Sequence, residues 1–315
     1  VATNSWSVIS TTGAPSARSG SRAVWSDDEM IVWGGTNGSA LATGAKFDPM
    51  SNTWSTIATV NAPTARYDHT VVSTGDQVLV WGGYSGAAHL ATGAVYNTNT
   101  NVWTPISATN APAIRSRHTA AWDGAQMIIW GGYNGTAIAT SARYTLSTNS
   151  WTAMPTVNAP AARYYHTAVM AGDKMIIWGG HNGTSHLNTG SVYNATSNVW
   201  TPMSATNAAS IRSQHAAVWT GGHMLVWGGT NGGTLNTGFK YRLGSNSWST
   251  MSDPALTPRI GMSAVWTGRA GSPEGNLGHY SVHENGTGGR LLIWGGYDGS
   301  SYVGDGQVYT PSEPN

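Results

Sequence analysis

Cysteine is absent from this 315-residue chain. That excludes a disulfide framework, a thiolate metal site and a cysteine nucleophile. Charge is scarce as well: charged residues make up 9% of the sequence and the formal net charge is +1. The basic stripe that a nucleic-acid binder presents to phosphates is missing, so no nucleic-acid partner is expected. No run approaches the roughly eighteen apolar residues of a membrane-spanning helix, so no membrane insertion is expected either. Lysine occurs only at Lys46, Lys174 and Lys240, and glutamate only four times, which removes two good helix formers. Gly, Ser, Thr and Asn take their place, a composition suited to strands joined by tight turns. The chain opens at Val1 without a signal-like segment. The expectation is a processed mature form or an excised piece of a bacterial protein, secreted or at the cell surface, with the periplasm as a second compartment.

What is present is a repeat. Trp-Gly-Gly begins at Trp33, Trp81, Trp130, Trp178, Trp227 and Trp294, at intervals of 48, 49, 48, 49 and 67 residues. A fixed period in this range dictates the whole fold. One unit reads Arg163-Tyr-Tyr-His-Thr-Ala-Val-Met, a small polar turn, Lys174-Met-Ile-Ile-Trp-Gly-Gly, Gly190-Ser-Val-Tyr, and Asn198-Val-Trp-Thr-Pro. These are four short strands, the first two joined by a Gly/Asp hairpin turn. Six four-stranded units predict an all-β, six-bladed propeller. Residues 4–10 match only a fourth strand, and the chain stops on a third strand at Tyr309. The ring is therefore expected to close by the N-terminal strand completing the last blade. Residues 1–315 form one domain, with blade 6 built from 259–310 plus 4–10 and carrying an insertion at 268–290. That insertion contains His279 and His283. Its glycines argue against a helix, and it reads as an interaction or packing loop.

The Arg before the first strand, the Gly-Gly pair, the Tyr about fourteen residues on and the Trp that follows resemble the kelch repeat, six times over. The resemblance implies a propeller with the first strand nearest the axis. It also implies that the loop entering that strand and the loop after Gly-Gly open on one ligand-binding face. Kelch propellers include interaction modules, sugar-processing enzymes and copper oxidases, so the fold alone leaves the function open.

The sixteen Trp residues all fall at repeated positions and read as packing between blades. The repeated Arg18, Arg66, Arg115, Arg163, Arg212 and Arg259 read as scaffold, each guanidinium tying loop carbonyls together. His69, His118, His166 and His215 follow three residues later and are the weak candidates for a metal. Metal ligands must converge to about 2 Å from one point, whereas equivalent positions spread around a ring, so structural hydrogen bonding is preferred. The informative positions are those that vary while the frame repeats. They put Tyr67, Asp68, Tyr84, Arg117, Tyr133, Tyr164, Tyr165, His181, Gln214 and Tyr297 on one face as candidate ligand-binding residues.

A hydrolase would need two carboxylates flanking the scissile bond, yet this face offers Asp68 and Asp298 in non-adjacent blades. The tyrosine–cysteine cofactor of kelch copper oxidases cannot form without Cys, and no Glu occurs in the face loops. The expected function is noncatalytic recognition of a glycan or a protein through the Tyr-rich face, with no cofactor. The alternatives are a self-assembling structural subunit of an extracellular or surface layer, and a kelch-type sugar-modifying enzyme.

Overall fold

The computed structural model describes residues 8–252, 256–267 and 289–310. They form six antiparallel sheets arranged as a propeller, here called blades 1 to 6 in chain order. Five sheets have four strands in the order first, second, third, fourth, and the sixth has three described strands. In blade 4 these are Thr167–Ala171, Lys174–Trp178, Gly190–Asn194 and Val199–Pro202. A single 3-10 turn, Leu146–Thr148, is the only helical element among the described residues. First strands of successive blades lie side by side from blade 1 to blade 6, which puts them around the axis.

The pattern of burial follows from that stacking. Second strands of blades 2 to 5 are covered on both faces, so Met175, Ile176, Ile177 and Trp178 are all fully buried and the strand reads as an unbroken apolar run. Fourth strands are outermost and alternate, with Val199 and Thr201 exposed around buried Trp200, as a half-covered strand does. The core lies between blades: Ile128 and Trp130 of blade 3 cluster with Met175, Ile177, Tyr193 and Trp200 of blade 4. In blades 1 to 4 the indole before Gly-Gly meets the fourth-strand indole of the next blade, as in Trp33–Trp103 at 4.6 Å and Trp178–Trp248 at 5.1 Å between ring centroids. Trp294 of blade 6 differs from its equivalents in being half exposed. It stands on the face that the following blade covers in blades 1 to 5.

The repeated Arg fastens each blade at its loop edge. Arg163 is buried and donates from Nε to Ala161 O (2.8 Å), from Nη1 to Gly179 O (2.9 Å) and Thr189 O (2.6 Å), and from Nη2 to Thr189 Oγ1 (3.0 Å). Its backbone also ties to the preceding blade, accepting from Gly132 N at 2.9 Å and donating to Ile138 O at 3.1 Å. Arg66, Arg115, Arg212 and Arg259 repeat the pattern. Burial pulls four of these guanidiniums down to about 10, through desolvation, and they remain charged at neutral pH.

Residues 1–7, where most of the expected closing strand falls, and 268–288, which hold most of the insertion with His279 and His283, lie outside the described residues. Ser10 is described. Its carbonyl accepts from Trp54 Nε1 at 2.8 Å, as Ala58 O does from Trp103 and Ser204 O from Trp248. Ser10 thus stands where a chain leaving a fourth strand stands in other blades.

Lysine keeps the charge of Arg163 but not its planar fork, and leaves buried carbonyls without donors. Arg163→Lys is expected to destabilise the fold by about 3 kcal/mol or more, read as a shift in the midpoint of urea unfolding. A midpoint within error of the parent would remove the Arg from its scaffold role.

Candidate functional site

The two sets of variable positions meet in every blade. The residue after the loop Arg forms a β-bridge with the residue after Gly-Gly: Ser19 with Thr36, Tyr67 with Tyr84, Ser116 with Tyr133, Tyr164 with His181, Ser213 with Thr230, and Ile260 with Tyr297. The bridges depend on the glycines. A Cβ on Gly180 would stand 2.8 Å from His166 Cβ and 2.9 Å from Tyr164 O, and its φ is +102°, a region that L side chains avoid.

The next residue of each blade turns back at the axis with positive φ. Gly20 and Gly261 do so in blades 1 and 6, but Asp68, Arg117, Tyr165 and Gln214 do so in blades 2 to 5, at φ between 53° and 54°. Their backbones form an inter-blade chain around the axis: Arg117 N to Asp68 O (3.1 Å), Tyr165 N to Arg117 O (3.4 Å), Gln214 N to Tyr165 O (3.0 Å) and Gly261 N to Gln214 O (3.2 Å). A residue with a Cβ gives up roughly 1–2 kcal/mol in this region, and bulky Tyr165 is the least expected there.

All ten candidate residues are half-buried, and most belong to one row of rings. Tyr67 meets Tyr84 (5.5 Å), Tyr84 meets His89 (4.9 Å), His89 meets Tyr133 (5.6 Å) and Tyr133 meets Tyr164 (5.0 Å). From Tyr164 the row reaches Tyr165 (5.2 Å) and His181 (5.4 Å), and His181 leads to His186 (4.8 Å). The row crosses blades 2, 3 and 4. Arg117 sits against it, with Cζ 5.0 Å from the Tyr165 ring centroid and 5.8 Å from that of Tyr133, and with Nε bonded to Asp68 Oδ2 at 3.1 Å. Gln214 adjoins Tyr165 through the backbone only. Tyr297 lies apart: its ring pairs with Tyr302, and its hydroxyl bonds to Gly299 O.

His89 and His186 were not singled out from the sequence. Each Nδ1 shares a hydrogen bond of 3.1 Å with a serine of the next blade, Ser116 or Ser213. The signal for them is the alternation of 48 and 49 in the repeat. The extra residue lies in the loop after Gly-Gly, so the bridging residue on its return is Trp+7 in blades 1, 3 and 5 (Ala40, Ala137, Thr234) and Trp+8 in blades 2, 4 and 6 (His89, His186, Tyr302). Aligning all six units at one length hides the aromatic alternation.

A family model described as the KLHDC2/KLHL20/DRC7 Kelch-repeats domain matches residues 1–157 and 94–270. The chain belongs to the kelch-repeat family. No curated protein matches it significantly. Kelch propellers generally mediate binding to proteins or other ligands and are typically noncatalytic interaction modules.

Within the kelch frame the buried histidines work between blades. Nε2 of His118, His166 and His215 shares a 2.8 Å hydrogen bond with Thr70, Thr119 and Thr167 of the preceding blade. The same rings fill the space that a Cβ would need at Gly82, Gly131 and Gly179. Each histidine is thus held within its own blade junction, and among the described residues no group of three or more His, Asp or Glu is placed to hold a metal ion. Desolvation, aided by the nearby repeated Arg, pulls His69, His118 and His166 well below the usual imidazole range and His215 to about 3. Of the face acids, Asp68 is ion-paired. Asp298 accepts from Ser301 N and Ser300 N in its own turn, which lowers it to about 2.

Two expectations follow. The four histidines are neutral when folded and have ordinary pKa values near 6.5 when unfolded, so the unfolded chain binds more protons as pH falls. Stability is fully present above about pH 6.5 and lost below it, by about 1.4 kcal/mol per pH unit for each histidine, continuing toward the folded value of about 3 for His215. Urea unfolding between pH 7 and 5 should show uptake of about four protons or more, since His89 and His186 are lowered as well, and His166→Met, which copies Met262 of blade 6, should lower it by one. A flat profile would contradict neutral burial. At Tyr165 both Gly and Ala remove the ring but only Ala keeps the left-handed strain, so Tyr165→Gly should be more stable than Tyr165→Ala by about 1 kcal/mol. The reverse order would mean that the turn is not left-handed.

Proposed function

We propose that this kelch propeller is a noncatalytic recognition module whose ligand, a glycan or a protein, lies across the Tyr-rich loop face of blades 2 to 4. The observation that carries this reading is the unbroken row of rings from Tyr67 to His186. A tyrosine offers an apolar ring and a polar tip while losing little conformational freedom, which suits both ligand classes. The row is held stiff by the β-bridges beneath it and the buried Arg network behind them, so little ordering remains to be done on binding. The groups it presents are rings, hydroxyls, imidazoles and one ion pair. Such groups stack and hydrogen-bond, which is the chemistry of recognition.

The test is a screen of a glycan array and a peptide library with the parent chain, followed by Tyr84→Ala and Tyr133→Ala. Each substitution is expected to weaken the selected ligand at least tenfold, as loss of a central aromatic anchor does, with unchanged urea midpoints outside the ligand. A ligand bound equally well by both variants would move the site off this face.

A further inference from the structure

Blades 1, 3 and 5 repeat one another on this face, and so do blades 2 and 4. Ser19, Ser116 and Ser213 follow the Arg in the odd blades, and Tyr67 and Tyr164 in the even ones. Against this two-blade period a few side chains stand out, and they gather in one place. Tyr133 stands where the other odd blades have Thr36 and Thr230, and Arg117 where they have Gly20 and Gln214. Tyr165 occupies a left-handed position that Gly fills in two blades. Arg22, on the innermost strand of blade 1, replaces the Thr70, Thr119, Thr167, Ala216 and Ser263 of its sister strands. Its Nε donates to His69 O of blade 2 at 3.1 Å. First strands of successive blades lie side by side around the axis, so this exposed side chain stands at the inner wall of the propeller.

The charge balance of this mouth is positive. Arg117 pairs with one carboxylate, Asp68, and Arg22 bonds to the backbone of the residue next to it, His69; His89 has its pKa lowered by burial and by the charge of Arg117, against the opposing pull of Asp68. The Arg117 ion pair uses Nε, and no hydrogen bond from its two Nη groups occurs among the described residues. That leaves the two Nη groups, a bidentate edge that matches a carboxylate, on a guanidinium that lies against the rings of Tyr133 and Tyr165. The side chains beside this edge are flat rings, and the only aliphatic side chain in the two variable sets is Ile260. A pyranose needs ring faces for its C–H groups and polar neighbours for its hydroxyls.

We propose that the axial mouth binds the carboxylate of a uronic-acid sugar, with Arg117 and Arg22 as the anion-recognising groups and Tyr133 and Tyr165 as the walls on which the sugar ring stacks. The inference rests on the recognition reading of the same face and narrows its ligand.

Both arginines can be exchanged for residues that the molecule already uses at the same position. Arg117→Gln copies Gln214, with its left-handed backbone, and Arg22→Thr copies Thr70, so each variant is expected to fold. The full chain is titrated calorimetrically with trigalacturonate and with a hyaluronan tetrasaccharide, each against its carboxyl-reduced neutral counterpart, and with an Asp- and Glu-rich peptide as a third probe. At least one acidic sugar is expected to bind, with its neutral counterpart weaker by about tenfold or more, as for hydrogen bonds to a charged group. Each variant is expected to weaken the acidic sugar by a similar factor and to shrink the difference between the pair. Binding of neither acidic sugar, equal binding of acid and neutral forms, or acid binding unchanged in both variants overturns the inference. So does tighter binding of the acidic peptide. Should a different ligand from the screen bind and be lost in Tyr84→Ala and Tyr133→Ala, the recognition face stands and only the uronate site falls.

Discussion

The structure depends on a buried guanidinium that has no carboxylate of its own in most blades. A charge removed from water must have its donors satisfied, and the loop Arg does this by collecting carbonyl oxygens. Arg66 takes Thr64 O, Gly82 O and Thr92 O, and those oxygens come from the loop entering the first strand and from the two ends of the loop that joins the second strand to the third. The fork has one geometry, so three backbone segments are fixed relative to each other in every blade. The same Arg backbone bonds to the blade before it. One residue type therefore sets both the shape of a blade edge and the junction to its neighbour. Arg259 is the exception, with Asp305 Oδ1 at 2.7 Å, and it keeps the same carbonyl partners beside that ion pair.

This constraint explains why other positions vary freely. The two glycines make the close approach and the Arg holds it, so the residues next to them inherit a backbone that they do not have to build. Their side chains can change from Ser to Tyr or from Thr to His without disturbing the frame. The residue at the axis is freed less completely, because its left-handed turn is set by the inter-blade bond to the previous carbonyl. Gly would satisfy that turn at no strain. Where Asp68, Arg117, Tyr165 and Gln214 stand instead, side chains have been kept against a local preference, which is the pattern of strain at working sites.

Much of the fold was readable because the residues that carry it repeat. Trp-Gly-Gly marks the end of each second strand, and the loop Arg and fourth-strand Trp recur at constant offsets, so the blade count, strand order and scaffold role of Arg follow from spacing. Exposure of Trp294 did not follow, since an identical tripeptide does not say whether a following blade covers it. The candidate site was readable as a list of positions and not as an arrangement. Sequence placed Tyr84, Tyr133 and Tyr164 on one face, but nothing in their spacing shows that their rings form a row or that Tyr297 stands outside it. His89 and His186 were hidden by a one-residue difference in loop length, which shifts a return strand by a full side-chain step.

Six copies of one backbone also turn comparison within the chain into a physical control. In most proteins an unusual residue can be weighed only against general propensity, which is context-dependent. Here Arg117 can be weighed against Gly20, Asp68, Tyr165, Gln214 and Gly261, all in the same turn with the same left-handed backbone. What differs between them cannot be a demand of the turn, because Gly meets that demand. It must come from what the side chain meets beyond the scaffold. For Arg117 that surrounding is two tyrosine rings and one carboxylate, and for Arg22 it is the start of a neighbouring inner strand where its sisters need only Thr, Ala or Ser. The turn and the strand that carry them ask for no guanidinium at either place, and that is what supports placing the proposed site at the mouth of the propeller.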